Sequence, residues 1–126
     1  MSRRRMWALR GATTVDADRA DLVRAATREL LAELVARNGL DQDEIVSAIF
    51  SVTTDLISEY PASGARELGW VEVPLLCTTE IPVPGGLRRV IRVLLHVEPA
   101  APRPQWHPVY LRGATTLRPD LVAMPS

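Results

Sequence analysis

Cysteine is nearly absent from this chain. Cys77 is the only one in 126 residues, so no internal disulfide can form, and the composition fits a reducing cytoplasm. Histidine is almost as scarce: His96 and His107 are far apart and lack metal-ligand spacing, and neither stands in the setting a Ser–His–acid or Cys–His nucleophile requires. Charge of one sign is missing too. Fifteen basic and fifteen acidic residues cancel, so no overall field draws the chain to nucleic acid or to an anionic membrane. No run approaches the ~20 apolar residues of a membrane span. The apolar stretch after Arg3-Arg4-Arg5 is about four residues, against the roughly 7–15 of a signal peptide, so the triplet reads as a solvated N terminus. The Gly85-Gly86 pair lacks the spacing of a phosphate loop and opens a strand rather than a helix.

What is present suits one globular domain over residues 1–126, with flexible ends at 1–5 and about 119–126. The hydrophobic share is 47% and the mean hydropathy +0.03. A chain of this size buries roughly two-thirds of its unfolded surface. Met6 to Arg10 reads as a first strand. A helix follows from about Ala17 to Arg37, with Leu22, Val23, Ala26, Leu30, Leu34 and Val35 near 3.6-residue spacing. Asp16 or Asp18 is placed to cap it, and Asn38-Gly39 to stop it. Asp41 with Glu44 resembles a capping box for one short turn. Strands are expected at Ile45–Thr53, Val71–Thr79 and Leu87–Val97, a short helix at Pro61–Leu68 weakened by Gly64, and a last short strand at Val109–Arg112. The prolines at 99, 102, 104 and 108 keep the stretch between out of a central sheet. The order predicts an α+β domain: a single mixed sheet with helices on one face. Strand four is apolar at nearly every position, so both of its faces are expected to meet protein, and a homo-oligomer would cover the second.

Arg92 interrupts the run Val90-Ile91-Arg92-Val93-Leu94-Leu95. A guanidinium buried in such a strand needs an internal acid, of which Glu80 is the obvious one, or an anionic ligand. Arg10 closes the first apolar stretch just before Gly11. With Arg66, Cys77, Glu80 and Tyr110, these form a set of polar groups at strand ends that can bind and polarise a small polyanion. The hexapeptide Leu9-Arg10-Gly11-Ala12-Thr13-Thr14 also recurs unchanged at Leu111–Thr116. The flanks differ, so duplication of a whole unit does not explain it.

Five blocks occur in order over nearly the whole chain: Leu9–Thr14; Ala65-Arg66-Glu67-Leu68 with Trp70; Val73-Pro74-Leu75-Leu76-Cys77-Thr78-Thr79-Glu80; Gly85-Gly86-Leu87-Arg88-Arg89-Val90-Ile91-Arg92; and Val109-Tyr110-Leu111 with Leu117-Arg118-Pro119-Asp120-Leu121. In these the sequence resembles the monofunctional chorismate mutases of the trimeric α/β-barrel type. The resemblance implies a homotrimer with sites at subunit interfaces. It implies a [3,3]-sigmatropic rearrangement of chorismate to prephenate, in the shikimate route to aromatic amino acids, without metal or cofactor. It gives Arg92 the ether oxygen of the substrate, Arg10 and Tyr110 the carboxylates, and Glu80 and Cys77 the ring hydroxyl. Leu75 and Leu76 would line the pocket; Tyr60, Ala62 and the helix with Arg66 would come from a neighbouring subunit; Leu117 and Arg118 lie in a covering tail. Ser63 stands where the family often has a basic residue, and Leu76 where threonine is common. Two other readings share the architecture or the chemistry: an enamine/imine deaminase, and a non-catalytic trimer that binds an anionic metabolite.

Overall fold

The apolar stripe of Val23, Ala26, Leu30, Leu31 and Leu34 builds the longest element. A computed structural model describes residues 6–122, and in it α1 runs Ala20–Asn38 with that stripe buried. Before it comes β1 (Trp7–Thr14). After it come β2 (Ile45–Val52), α2 (Pro61–Glu67), β3 (Leu75–Thr79), β4 (Val90–Val97), β5 (Val109–Tyr110) and α3 (Pro119–Val122), with 3₁₀ turns at Gln42–Glu44 and Arg112–Thr116. The strands form one sheet in the order β3-β2-β4-β1-β5. β4 is antiparallel to β1 and β2, whereas β2–β3 and β1–β5 are parallel, so the sheet is mixed as expected.

Side-chain alternation divides the sheet into two faces. Leu9, Gly11 and Thr13 of β1 stand beside Leu95, Val93 and Ile91 of β4, and next to them Ala48, Phe50 and Val52 of β2. This face packs against α1: Phe50, Leu30, Leu31, Leu34, Ile91 and Leu95 are fully buried, each worth about 1.5–3 kcal/mol relative to exposure. At Gly11 a Cβ would lie 2.8 Å from Leu34 Cδ1, which is why α1 can sit directly on β1. The other face carries Arg10, Arg92, Leu94, Ile49 and Ser51, all exposed or only half-buried in the single chain. Among the described residues, no helix is long and apolar enough to cross a membrane.

Several boundaries differ from expectation for physical reasons. α1 starts at Ala20, and neither Asp16 nor Asp18 caps it; Asp18 instead accepts the backbone N–H groups of Ile57 and Ser58 at 3.1 and 3.0 Å. β1 runs on past Gly11 to Thr14. β3 begins only after Pro74, which has no N–H to give a ladder. β4 begins at Val90 because Arg89 is left-handed, at φ 51°, and breaks the extended run. Pro119–Val122 forms one helical turn, while residues 1–5 and 123–126, expected to be flexible, lie outside the described residues. The repeated hexapeptide is strand in its first copy and 3₁₀ turn in its second. The copies touch: Leu111 N donates to Ala12 O at 2.9 Å and Gly113 N to Thr14 Oγ1 at 3.0 Å.

The capping box at Asp41–Glu44 is formed, and its glutamate does more than cap. The buried Glu44 carboxylate accepts Asp41 N and Ala100 N, each at 2.8 Å, and Arg103 Nη2 lies 3.3 Å from Oε1. The backbone hydrogen bonds are the main cause that holds its pKa below the ordinary 4.5, against the effect of burial. A depressed folded pKa contributes stability that is complete above the unfolded value and is lost as pH falls through the folded one. Chemical denaturation should therefore show wild type losing stability below about pH 4.5. Glu44→Gln should cost about 1–3 kcal/mol at neutral pH and flatten that acid limb; an equally steep limb in the variant would count against this account.

Candidate functional site

Register places the polar residues of the open face in rows. Ser51, Arg92 and Ala12 lie side by side across β2, β4 and β1, and Tyr110 of β5 pairs with Ala12. Ile49, Leu94 and Arg10 form the adjoining row. Together they enclose a hollow of about 240 Å³ walled by Arg10, Arg92, Tyr110, Ser51, Ile49 and Leu94. On the far side of Arg92 is a larger hollow of about 490 Å³, whose walls include Glu80, Thr53, Asp55, Arg88, Ile81 and Leu117. Arg92 borders both.

The structure corrects the expected burial of Arg92. Its neighbours Ile91 and Val93 are buried, but alternation turns Arg92 to the open face, where its side chain is 45% exposed in the single chain. Its Nε lies 3.0 Å from Glu80 Oε1, so the internal acid foreseen for it is present. An ion pair this exposed is worth about 0–1 kcal/mol. The guanidinium has five N–H donors, so an incoming anion can share or displace Glu80 at little cost.

Asp55 carries a charge that the local structure absorbs. Burial works against its ionisation, but Thr53 Oγ1 donates to Oδ1 and Arg89 N donates to both oxygens, and these bonds hold its carboxyl below the usual aspartate range. Asn38, at the end of α1, donates to His107 O and accepts from His107 N, which ties the proline-rich stretch down just ahead of Tyr110.

The remaining expected site residues lie elsewhere. Leu75 and Cys77 are partly buried on the helix-bearing face of β3, in register with Ala48 and Phe50, so Cys77 and Glu80 of one chain do not share a hollow. Leu76 is 60% exposed on the open face at the sheet edge. Tyr60 is exposed at the start of α2, Ala62 is buried, Ser63 Oγ donates to Glu59 Oε1 at 3.1 Å, and Arg66 is exposed to solvent. None of these borders either hollow. Arg118 forms an ion pair with Asp120 at 2.9 Å. Sequence reasoning missed Ile49 and Ser51, whose placement follows only from the β2–β4 register. It also missed the Thr53–Asp55 pair, for which a hydrogen-bonding Thr-x-Asp at a strand end was the available signal.

Two arginines and a phenol border one hollow on the open sheet face, with a carboxylate beyond them, a set of groups whose chemistry suits an anion. Among the described residues, no three His, Cys, Asp or Glu side chains converge as a metal site would require. The fold and these hollows define a small α+β protein with an arginine-bearing pocket on the open face of its single mixed sheet. The family model for chorismate mutase type I matches residues 6–121. Chorismate mutase AroH of Thermus thermophilus is 47% identical over 114 residues, covering 90% of this chain and 93% of that protein. Chorismate mutase AroH of Bacillus subtilis is 40% identical over 114 residues, covering 90% of each. A solved chorismate mutase from Clostridium thermocellum superimposes with a TM-score of 0.84 at 46% identity, over 87% of this chain and 98% of that one. The chain belongs to the type I chorismate mutase family.

Proposed function

We propose that this protein rearranges chorismate to prephenate in aromatic amino-acid biosynthesis, as an isomerase that forms no covalent intermediate. The observation that carries the reading is the position of Arg92, between a hollow with Arg10 and Tyr110 and a hollow with Glu80. In the rearrangement one C–O bond breaks as one C–C bond forms, and no proton is transferred. Catalysis then has two sources: holding the flexible diacid in its reactive shape, and stabilising the charge that separates in the transition state. Even a 10⁶-fold acceleration asks for roughly 8 kcal/mol. Arg92 meets the negative charge growing on the ether oxygen. Arg10 and Tyr110 hold carboxylates, and Glu80 takes the ring hydroxyl and favours positive charge on the ring.

Both hollows are open in the single chain, and the residues that would close them lie on the opposite face or at the β3 edge. We therefore read the working form as a homotrimer in the cytoplasm. Tyr60, Ala62, Ser63, Arg66, Leu75, Leu76 and Cys77 would reach a site only across a subunit boundary, with Leu117 as part of its cover. Exposed Leu76, Ile57 and Val71 supply apolar surface for that boundary.

The test is to mix purified protein with chorismate, adding no metal or cofactor, and to follow loss of its absorbance with appearance of prephenate. Saturable conversion with kcat flat across neutral pH is expected, because no group must change protonation in the step. Binding without turnover would point to an anion sensor; neither binding nor turnover would favour the deaminase reading.

A further inference from the structure

Among the described residues, Asp55 and Glu80 are the acids bordering the larger hollow, and an acid beside the proposed dianion site needs a reason to be there. Its hydrogen bonds supply one. Arg89 N lies 3.2 and 3.1 Å from its two carboxylate oxygens, and Thr53 Oγ1 donates to Oδ1 at 2.5 Å. Thr53 Oγ1 in turn accepts Val90 N at 3.0 Å. Two successive amides at the entry to β4 thus end on the Asp55–Thr53 pair. Between them Arg89 holds φ 51°, a conformation that a residue with a Cβ keeps only where its surroundings impose it. Arg88 Nε stands 3.6 Å from Asp55 Oδ2, at the rim of the hollow. Arg92 follows two residues after Val90, on the same face of the strand.

We propose that Asp55, acting with Thr53, is a positioning residue for Arg92: it fixes the left-handed step that launches β4, and with it the direction from which Arg92 enters the hollow. The inference rests on the chorismate reading above. Without the carboxylate, Arg89 N loses its acceptor, the step relaxes, and the first β4 pairings loosen just ahead of Arg92. Misplacing a reacting group by about 1 Å can cost ~10²-fold in rate.

The test compares Asp55→Ala, which removes the acceptor, and Thr53→Val with wild type, and repeats Asp55→Ala in an Arg92→Ala background. We expect Asp55→Ala to lower kcat by about 10–100-fold with little change in KM. In the Arg92→Ala background the same change should cost less than about twofold, since no guanidinium is left to misplace. Thr53→Val should repeat the loss of kcat and Thr53→Ser, which keeps the hydroxyl, should restore it; this pair carries the test if Asp55→Ala does not fold. A merely structural acid would lower stability in both backgrounds and spare kcat in the folded fraction. Unchanged kcat in the Asp55→Ala protein, or an equal loss with and without Arg92, overturns the inference while leaving the reaction standing. A wild type that does not turn over chorismate overturns both.

Discussion

Replacing Arg92 with alanine, or with its neutral isostere citrulline, is expected to lower kcat by about 10³-fold or more while the fold persists. Both halves of this expectation follow from where the residue sits. Arg92 faces outward from β4, and its pair with Glu80 is exposed, so the side chain contributes little to stability. The backbone pairings of Arg92 with Ala12 and Ser51 do not depend on the side chain. In a pocket closed around substrate, however, the same charge would act where water is excluded and each donor counts for more. Citrulline separates charge from shape, because it keeps the planar head and loses only the cation. Circular dichroism and a denaturant melt should match wild type as the rate collapses. Near-normal turnover in the citrulline protein would sink the electrostatic mechanism.

Gly64→Ala should destabilise the protein by about 1–3 kcal/mol, and the sign is the informative part. Helix propensity alone predicts the opposite: alanine is better than glycine inside a helix by roughly 0.5–1 kcal/mol. Packing overrules it here. A Cβ at position 64 would lie 2.7 Å from Arg24 O and 2.8 Å from Thr27 Cβ, and neither neighbour can move easily. Arg24 O belongs to the backbone of α1, and Thr27 is buried with its hydroxyl bonded to Val23 O at 2.8 Å. α2 would have to back away from α1, carrying Tyr60, Ser63 and Arg66 with it. In the trimer reading those residues complete a neighbour's site, so KM should rise along with the loss of stability. A urea melt that shows stabilisation would mean α2 sits less tightly on α1 than described.

The same glycine shows what the sequence could and could not disclose. Read along the chain, Gly64 is a weak point in a helix; only the docking of α2 on α1 shows it to be a point of closest approach. The long helix, its stop at Gly39, the capping box at Asp41–Glu44 and the exclusion of the proline-rich stretch from the sheet interior were all legible, because each depends on neighbours within one or two turns. Asp18 was misread as a cap because its partners, Ile57 and Ser58, are about forty positions away. Arg92 was legible as an unusual residue. Its exposure was not, since the run around it is apolar on both sides and alternation alone decides which face it takes. Arg66 and Cys77 stood out in the sequence as polar candidates, whereas Tyr60 entered the proposed site only through family resemblance. Within a single chain none of them borders the hollows beside Arg92; in the trimer reading they would act across a subunit boundary, which no local pattern announces.

The repeated hexapeptide gives the molecule a built-in standard. The chemistry that sets how fast an unprotected amide exchanges with solvent depends on the flanking side chains, and across the two copies these are nearly the same. Gly11 is buried beneath α1 in a central strand, whereas Gly113 is exposed in a 3₁₀ turn and held to Thr14 Oγ1 by its own N–H. The ratio of deuterium uptake rates at the two glycines therefore reads the difference between their local opening free energies, with no correction for sequence. One short peptide, present twice in the same chain, thus compares a buried strand with an exposed turn.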